Sequence, residues 1–269
     1  MSNVIQEVIE ELVLSKLNLN SLHSNKPQFP EYMKWLISKD KEAELQYWSN
    51  YLLHYDSLSA FPFLNDGLGL NDETERKSYS MVIDSVLMKK IKTASVKMGI
   101  TWGVFLYSNW GILLSKLNDK DDNVFGVMVS GRPPEVKGIE SMVGVFVNTV
   151  PLRVKISNYD SFKTIASKLN SEIVNHNSNS TIALSEMNPS GISQLFNHVW
   201  VIENYPTGSK ESKNGLIDFE SIRMIQKTDM DVVVYVIPEQ DKIKIIFSSK
   251  VSNISSNNFE RLRITSCFY

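Results

Sequence analysis

Cysteine is nearly missing from this sequence: Cys267, close to the end, is the single thiol. That excludes an internal disulfide and a cysteine-based metal site, and it fits a reducing, cytoplasmic setting. Long apolar runs are missing too. Strings such as Val232 to Ile237 fall far short of the ~20 residues that a membrane-spanning helix needs. Nor is there an excess of charge of one sign. With 28 Lys and Arg against 30 Asp and Glu, the net charge is −2, so no field recruits nucleic acid or an anionic membrane. The first residues carry Glu7, Glu10 and Glu11, and their apolar positions are periodic, unlike a targeting segment. There is no phosphate-binding glycine loop, Ser-His-Asp order or HExxH helix. Histidine is scarce: His23, His54, His176 and His198, no two adjacent.

What is present is an ordinary globular composition, 42% hydrophobic and 22% charged over 269 residues, enough to bury a large core. Asn3 and Gln6 form a capping-box pattern, and Val4, Ile5, Val8, Ile9, Leu12 and Val13 recur at helical spacing. A polar stretch at 18–30 ends that helix. Pro30 to Leu36 starts a second, and Asp40 caps a third carrying Leu45, Trp48 and Leu52. Residues 56–76 read as a connection. Tyr79, Met81 and Ile83 alternate as a half-buried strand. Asp84 then caps a helix with Leu87, Ile91, Ala94 and Met98, which Gly99 ends in a left-handed conformation. Thr101 caps the next helix, where Phe105, Leu106, Trp110, Leu113, Leu114 and Leu117 are apolar almost all round, as in a helix at the centre of its domain.

Val124 to Val129 reads as a central strand covered on both faces, and Val145 to Ile156 as a further strand. Asp160 opens a helix with Phe162, Ile165, Leu169 and Ile173 at core spacing, and residues 175–193 read as a polar loop. Phe196, His198, Trp200 and Ile202 alternate along a strand that ends in Glu203-Asn204-Tyr205-Pro206. A Ser/Lys/Asn loop at 208–215 leads to strands at Leu216 to Ile225, Val232 to Ile237 and Lys242 to Ser248, the last two a hairpin. A short helix follows Ser256. These elements predict a mixed sheet covered by helices on one face.

Several of these stretches occur in an order that resembles the condensation domains of nonribosomal peptide synthetases. Tyr32 to Leu36 with Asp40 to Trp48 is similar to the family's tyrosine-containing helix and the helix ending in Tyr-Trp. Trp110 to Gly126 is similar to its long core helix, acidic turn and following strand. Ser130 to Arg153, with Val143-Gly144-x-Phe146-Val147-Asn148-Thr149, is the nearest match, and Phe196 to Pro206 resembles a late strand. The resemblance implies an α/β (α+β) lobe like chloramphenicol acetyltransferase, with a mixed, mostly antiparallel sheet. In that family two such lobes form a V around a channel, and carrier proteins bring acyl and aminoacyl thioesters on phosphopantetheine arms. The family's HHxxxDG motif is absent here, and Ser2 matches the serine just beyond its glycine. The expected layout is 1–55 as the helical segment after that motif, 56–76 as the connection and 77–269 as the C-terminal lobe. Arg261 to Tyr269 stops earlier than the family's closing helix.

No histidine inherits the role of the missing motif, so no residue here is expected to be catalytic, and no metal or nucleotide is needed. His23 and His176 read as solvated loop residues, His54 as a cation at a helix end, and His198 as a hydrogen-bonded structural residue in preference to a base. The channel or lobe-interface candidates are Ser130, Gly131, Arg132, Gly144, Asn148, Thr149 and Arg153. Each carries an alternative. The Gly131-Arg132-Pro133-Pro134 turn either borders the channel or only leaves a strand. Gly144 serves chain geometry through positive φ. Asn148 and Thr149 either contact substrate or link strands, since buried polar groups must be satisfied. Arg153 either pairs with a carboxylate across the lobe interface or snorkels at a strand end. Trp200 and Tyr205 read as core and turn. Asp119, Asp121 and Asp122 read as a solvated connection ahead of a calcium loop.

Three functions compete. The chain is one lobe of a condensation enzyme completed by a separate HHxxxDG lobe; or it is a docking module for carrier proteins or a tailoring enzyme; or it is an inactive remnant of a split synthetase.

Overall fold

A computed structural model describes residues 28–62, 76–187, 194–203 and 230–250. The expected helix at 4–13, His23, the 208–215 loop, the strand at Leu216 to Ile225, the Tyr205-Pro206 turn and the helix after Ser256 lie outside the described residues. Helix α1 spans Phe29–Ile37 and α2 Lys41–Tyr51, followed by strand β1, Arg76–Ile83. Helices α3, Ser85–Met98, and α4, Trp102–Asn118, lead into β2, Asp122–Val129. Then come β3, Asn148–Lys155, α5, Phe162–Ser178, β4, His198–Ile202, β5, Val232–Glu239, and β6, Lys242–Lys250.

Local chemistry sets most of these boundaries. Backbone N–H groups of the first turn donate to Asp40 in α2, Asp84 in α3 and Thr101 in α4, which satisfies orphan donors. Gly99 closes α3 at φ 69°, as its position after the last apolar residue predicts. α5 differs in two ways. Its cap is Ser161, which accepts from Thr164 N–H, while Asp160 accepts from Ser157 N–H in the preceding turn. The helix also runs on through His176 to Ser178, where a polar loop was expected.

The six strands form one mixed sheet in the order β1-β6-β5-β4-β2-β3. The outer pairs β1–β6, β6–β5 and β2–β3 are antiparallel, whereas β4 runs parallel to both β5 and β2. The β5–β6 hairpin turns at Gln240, which takes positive φ. α3, α4 and α5 pack against one face, and α4 lies deepest, with Leu114 fully enclosed among Trp110, Val150, Leu152 and Trp200 in the same cluster. Along β4 both faces are buried rather than alternate ones. His198 and Trp200 meet Trp110, and Val199 and Val201 join Val233 in a separate cluster.

β3 starts at Asn148 rather than Val145. Val145 and Val147 are exposed ahead of it while Phe146 points inward to Phe29 and Tyr32. Gly144 explains this path, though not through positive φ as expected. A Cβ there would lie 2.1 Å from the Phe29 ring, so the requirement is close approach of the chain to α1.

Candidate functional site

The loop after β2 and the segment after α5 face each other across a groove of about 340 Å³. One wall is formed by residues 130–135, the other by Asn177, Ser178, Ser180 and Thr181, with Tyr32 and Trp35 of α1 and Lys39 at the end. Of the seven residues singled out in the sequence, Ser130, Gly131 and Arg132 therefore line one cleft. Gly144 does not; it buttresses α1 through Phe29.

Gly131 shapes the first wall. Its φ is 60°, and an added Cβ would fall 1.7 Å from the Phe146 carbonyl oxygen. The obstacle is backbone, which cannot swing aside. G131A should lower unfolding stability by about 2 kcal/mol, the scale of an overpacked site, read as a fall in the denaturant midpoint at constant m-value. A neutral result would mean that the turn relaxes freely. Arg132 lies over the Phe146 ring at 4.1 Å and donates to the carbonyls of Ile139 and Met142. Its guanidinium thus braces the 3-10 turn Ile139–Ser141 that leads back to β3.

Asn148 sits behind the second wall. Its Nδ2 donates to the carbonyls of Ser180 and Ile182 at 2.9 and 2.7 Å, and its Oδ1 accepts from Thr149 N–H at 2.8 Å. The amide expected in this interrupted strand is therefore a cross-link between β3 and segment 180–182. Thr149 lies half-buried beside it, its γ-methyl near Gly126. Arg153, farther along β3, forms a bidentate pair with Asp122 of β2 at 2.8 and 2.7 Å and donates to the carbonyls of Tyr51 and Leu53. The carboxylate that it pairs with, Asp122, is on the neighbouring strand of the same sheet, so the acidic run at 119–122 supplies a structural partner.

Sequence reading missed a polar seam between α2 and α5. Tyr47 Oη bonds His176 Nδ1 at 2.7 Å, Tyr51 Oη donates to Glu172 at 3.0 Å, and Trp48 Nε1 donates to the Asn179 carbonyl at 2.7 Å. Glu44, buried on the same helix, accepts from Thr181 N–H at 3.1 Å and from its hydroxyl at 2.6 Å. Burial pushes Tyr47 up to about 12, with the nearby Glu172 charge adding to it. Burial also raises Glu172, partly offset by the Tyr51 hydroxyl.

The histidines divide sharply. His54 follows α2, exposed and at positive φ. His176 is fully buried, not the solvated loop residue expected, because its helix continues and carries it into the core beside Trp48 and Tyr51. His198 is structural, as expected. It is fully buried, and its Nε2 accepts from Trp110 Nε1 at 3.1 Å. Desolvation lowers both buried rings to about 3, so both are neutral near pH 7.

Comparison with known proteins adds ancestry to this geometry. The family profile described as Condensation domain matches residues 7–261. A plipastatin synthase polypeptide of Bacillus subtilis (strain 168) is 33% identical over 253 residues, covering 86% of this chain and 10% of the relative. Gramicidin S synthase 2 of Brevibacillus brevis is 30% identical over 234 residues, covering 84% of this chain and 5% of that protein. The chain thus spans a tenth or less of these relatives' length. Among solved structures, the SgcC5 protein from Streptomyces globisporus superposes with a TM-score of 0.73 at 13% identity, covering 98% of this chain and 63% of that one.

Proposed function

The chain belongs to the condensation-domain family of nonribosomal peptide synthetases, and from that premise we propose that residues 77–269 act as the C-terminal lobe of such a domain. In this reading residues 1–55 are the helical segment leading into the lobe and 56–76 the connection. The HHxxxDG group comes from outside these 269 residues, and the assembled cleft forms an amide between acyl and aminoacyl thioesters. Carrier proteins present both on phosphopantetheine arms, in the cytoplasm. Nucleophile and thioester are joined chiefly by being held at the right distance and angle. The groove between residues 130–135 and 177–181 is the stretch of this lobe that borders the substrates.

The observation that carries this reading is the fate of the imidazoles. A base or positioning group for an attacking amine must reach the substrate and titrate near neutrality. Among the described residues His176 and His198 are enclosed and held to about 3, and His54 is exposed and does not line the groove. With the described imidazoles outside the groove and His23 outside the described residues, this reading takes the reacting imidazole from the HHxxxDG lobe.

Reconstitution tests it. The chain, combined with a polypeptide bearing an HHxxxDG lobe and with two loaded carriers, should yield the amide product by mass spectrometry. The chain alone should yield none. Carrier binding without product in a verified complex would assign a docking role instead.

A further inference from the structure

Segment 179–183 has no regular secondary structure, yet Ser180 and Ile182 are buried. Buried backbone groups need partners, and here side chains from two other elements supply them. Trp48 takes the Asn179 carbonyl, Asn148 takes the carbonyls of Ser180 and Ile182, and Glu44 takes the Thr181 N–H. The strap is therefore held by α2 on one side and β3 on the other.

Glu44 is the unusual member. Only 3% of it is exposed, and both of its oxygens are engaged by Thr181. A carboxylate taken out of water is costly to a fold unless hydrogen bonds compensate, and an apolar residue at this core position of α2 carries no such cost. What the acid adds is a fixed place for Thr181, through a short charge-assisted bond to its hydroxyl. Thr181 and Ser180 form the groove wall opposite residues 130–135. The other wall is already braced by Gly131 and Arg132.

We infer that Glu44 is a positioning residue which, with Asn148, fixes the groove wall at Ser180 and Thr181 and so sets the fit of the acyl or aminoacyl group beside it. This rests on the condensation reading. The strap has no ladder of its own, so its place depends on those side chains. A wall displaced by a fraction of an ångström loosens substrate contacts without touching the reacting atoms.

The test compares E44A, E44Q and T181V in the assembled complex, with the loaded aminoacyl carrier titrated. E44A and T181V should raise KM about tenfold, the scale of one lost hydrogen bond to a charged group, while kcat stays within about threefold. E44Q should recover most of the rise, because a glutamine amide can accept from the N–H and donate to the hydroxyl oxygen. T181V is isosteric and keeps the fold if E44A does not. Amide exchange at position 181 should quicken by about tenfold in E44A, which removes the acceptor of that N–H, with β5 and β6 unchanged. An unchanged KM in T181V, or a parallel fall of kcat and thermal midpoint, overturns the inference and leaves the condensation reading standing. No product from the unaltered chain in a verified complex overturns both.

Discussion

Lowering the pH from 7 to 5 should cost the fold about 4 kcal/mol through two histidines that are buried in their neutral form. His176 and His198 are both lowered to about 3 by burial, whereas an unfolded imidazole titrates near 6.5. Between those values the unfolded chain binds protons that the folded chain refuses. Stability is therefore complete above about pH 6.5 and lost as the pH falls towards 3, by about 2 kcal/mol per histidine over the first two units. Glu172 and Glu203 act in the opposite sense. Burial raises both, so their unfavourable ionisation in the fold is relieved on acidification. H176Q separates these contributions. Its amide can still meet the Tyr47 hydroxyl and cannot titrate, so the drop in unfolding free energy between pH 7 and 5 should shrink by about 2 kcal/mol. A profile unchanged by H176Q would mean that the ring titrates freely in the fold.

His176 also shows why some of the structure was legible and some was not. The helix caps at Asp40, Asp84 and Thr101 and the left-handed Gly99 follow from interactions within four residues, and the chain held to each. The enclosed α4 followed from its apolar circumference. The Asn- and Ser-rich composition around His176 spoke for a loop, and composition outweighed spacing. Yet residues 165, 169, 172 and 176 share one helical face, and that periodicity was the available signal. Ser161 and Asp160 are adjacent cap formers, and only the three-dimensional turn decides between them.

The candidate site was legible in part for a different reason. Asn148 stood out because an amide in an apolar strand must find partners, but those partners lie more than thirty residues away. Glu44 lies 137 residues from Thr181, and with Glu42 on the same turn of α2 no local pattern singles it out. Gly144 could reflect dihedral freedom or crowding, and the choice depended on Phe29, which no local pattern connects to it. Contacts of this kind exist only once the chain has closed.

Arg153 offers the largest single-site effect of that closed network. R153L should lower unfolding stability by about 3 kcal/mol, near the low end for one partner removed from an enclosed ion pair. The side chain is 11% exposed and its Asp122 partner 29%, so water replaces some of what Asp122 loses. The rest of the cost falls on the end of α2, where the carbonyls of Tyr51 and Leu53 lose their donor. R153K should recover only part, since an ammonium cannot present a fork to Asp122 and also reach two carbonyls. R153L combined with D122L should cost less than the two changes added, because neither charge is then left alone. Denaturant midpoints for the four proteins measure this directly. A loss under about 1 kcal/mol for R153L would reduce the pair to an exposed surface bridge. A full loss would make Arg153 the joint through which β3 holds α2, with Tyr47 and Glu44 carried on the same helix.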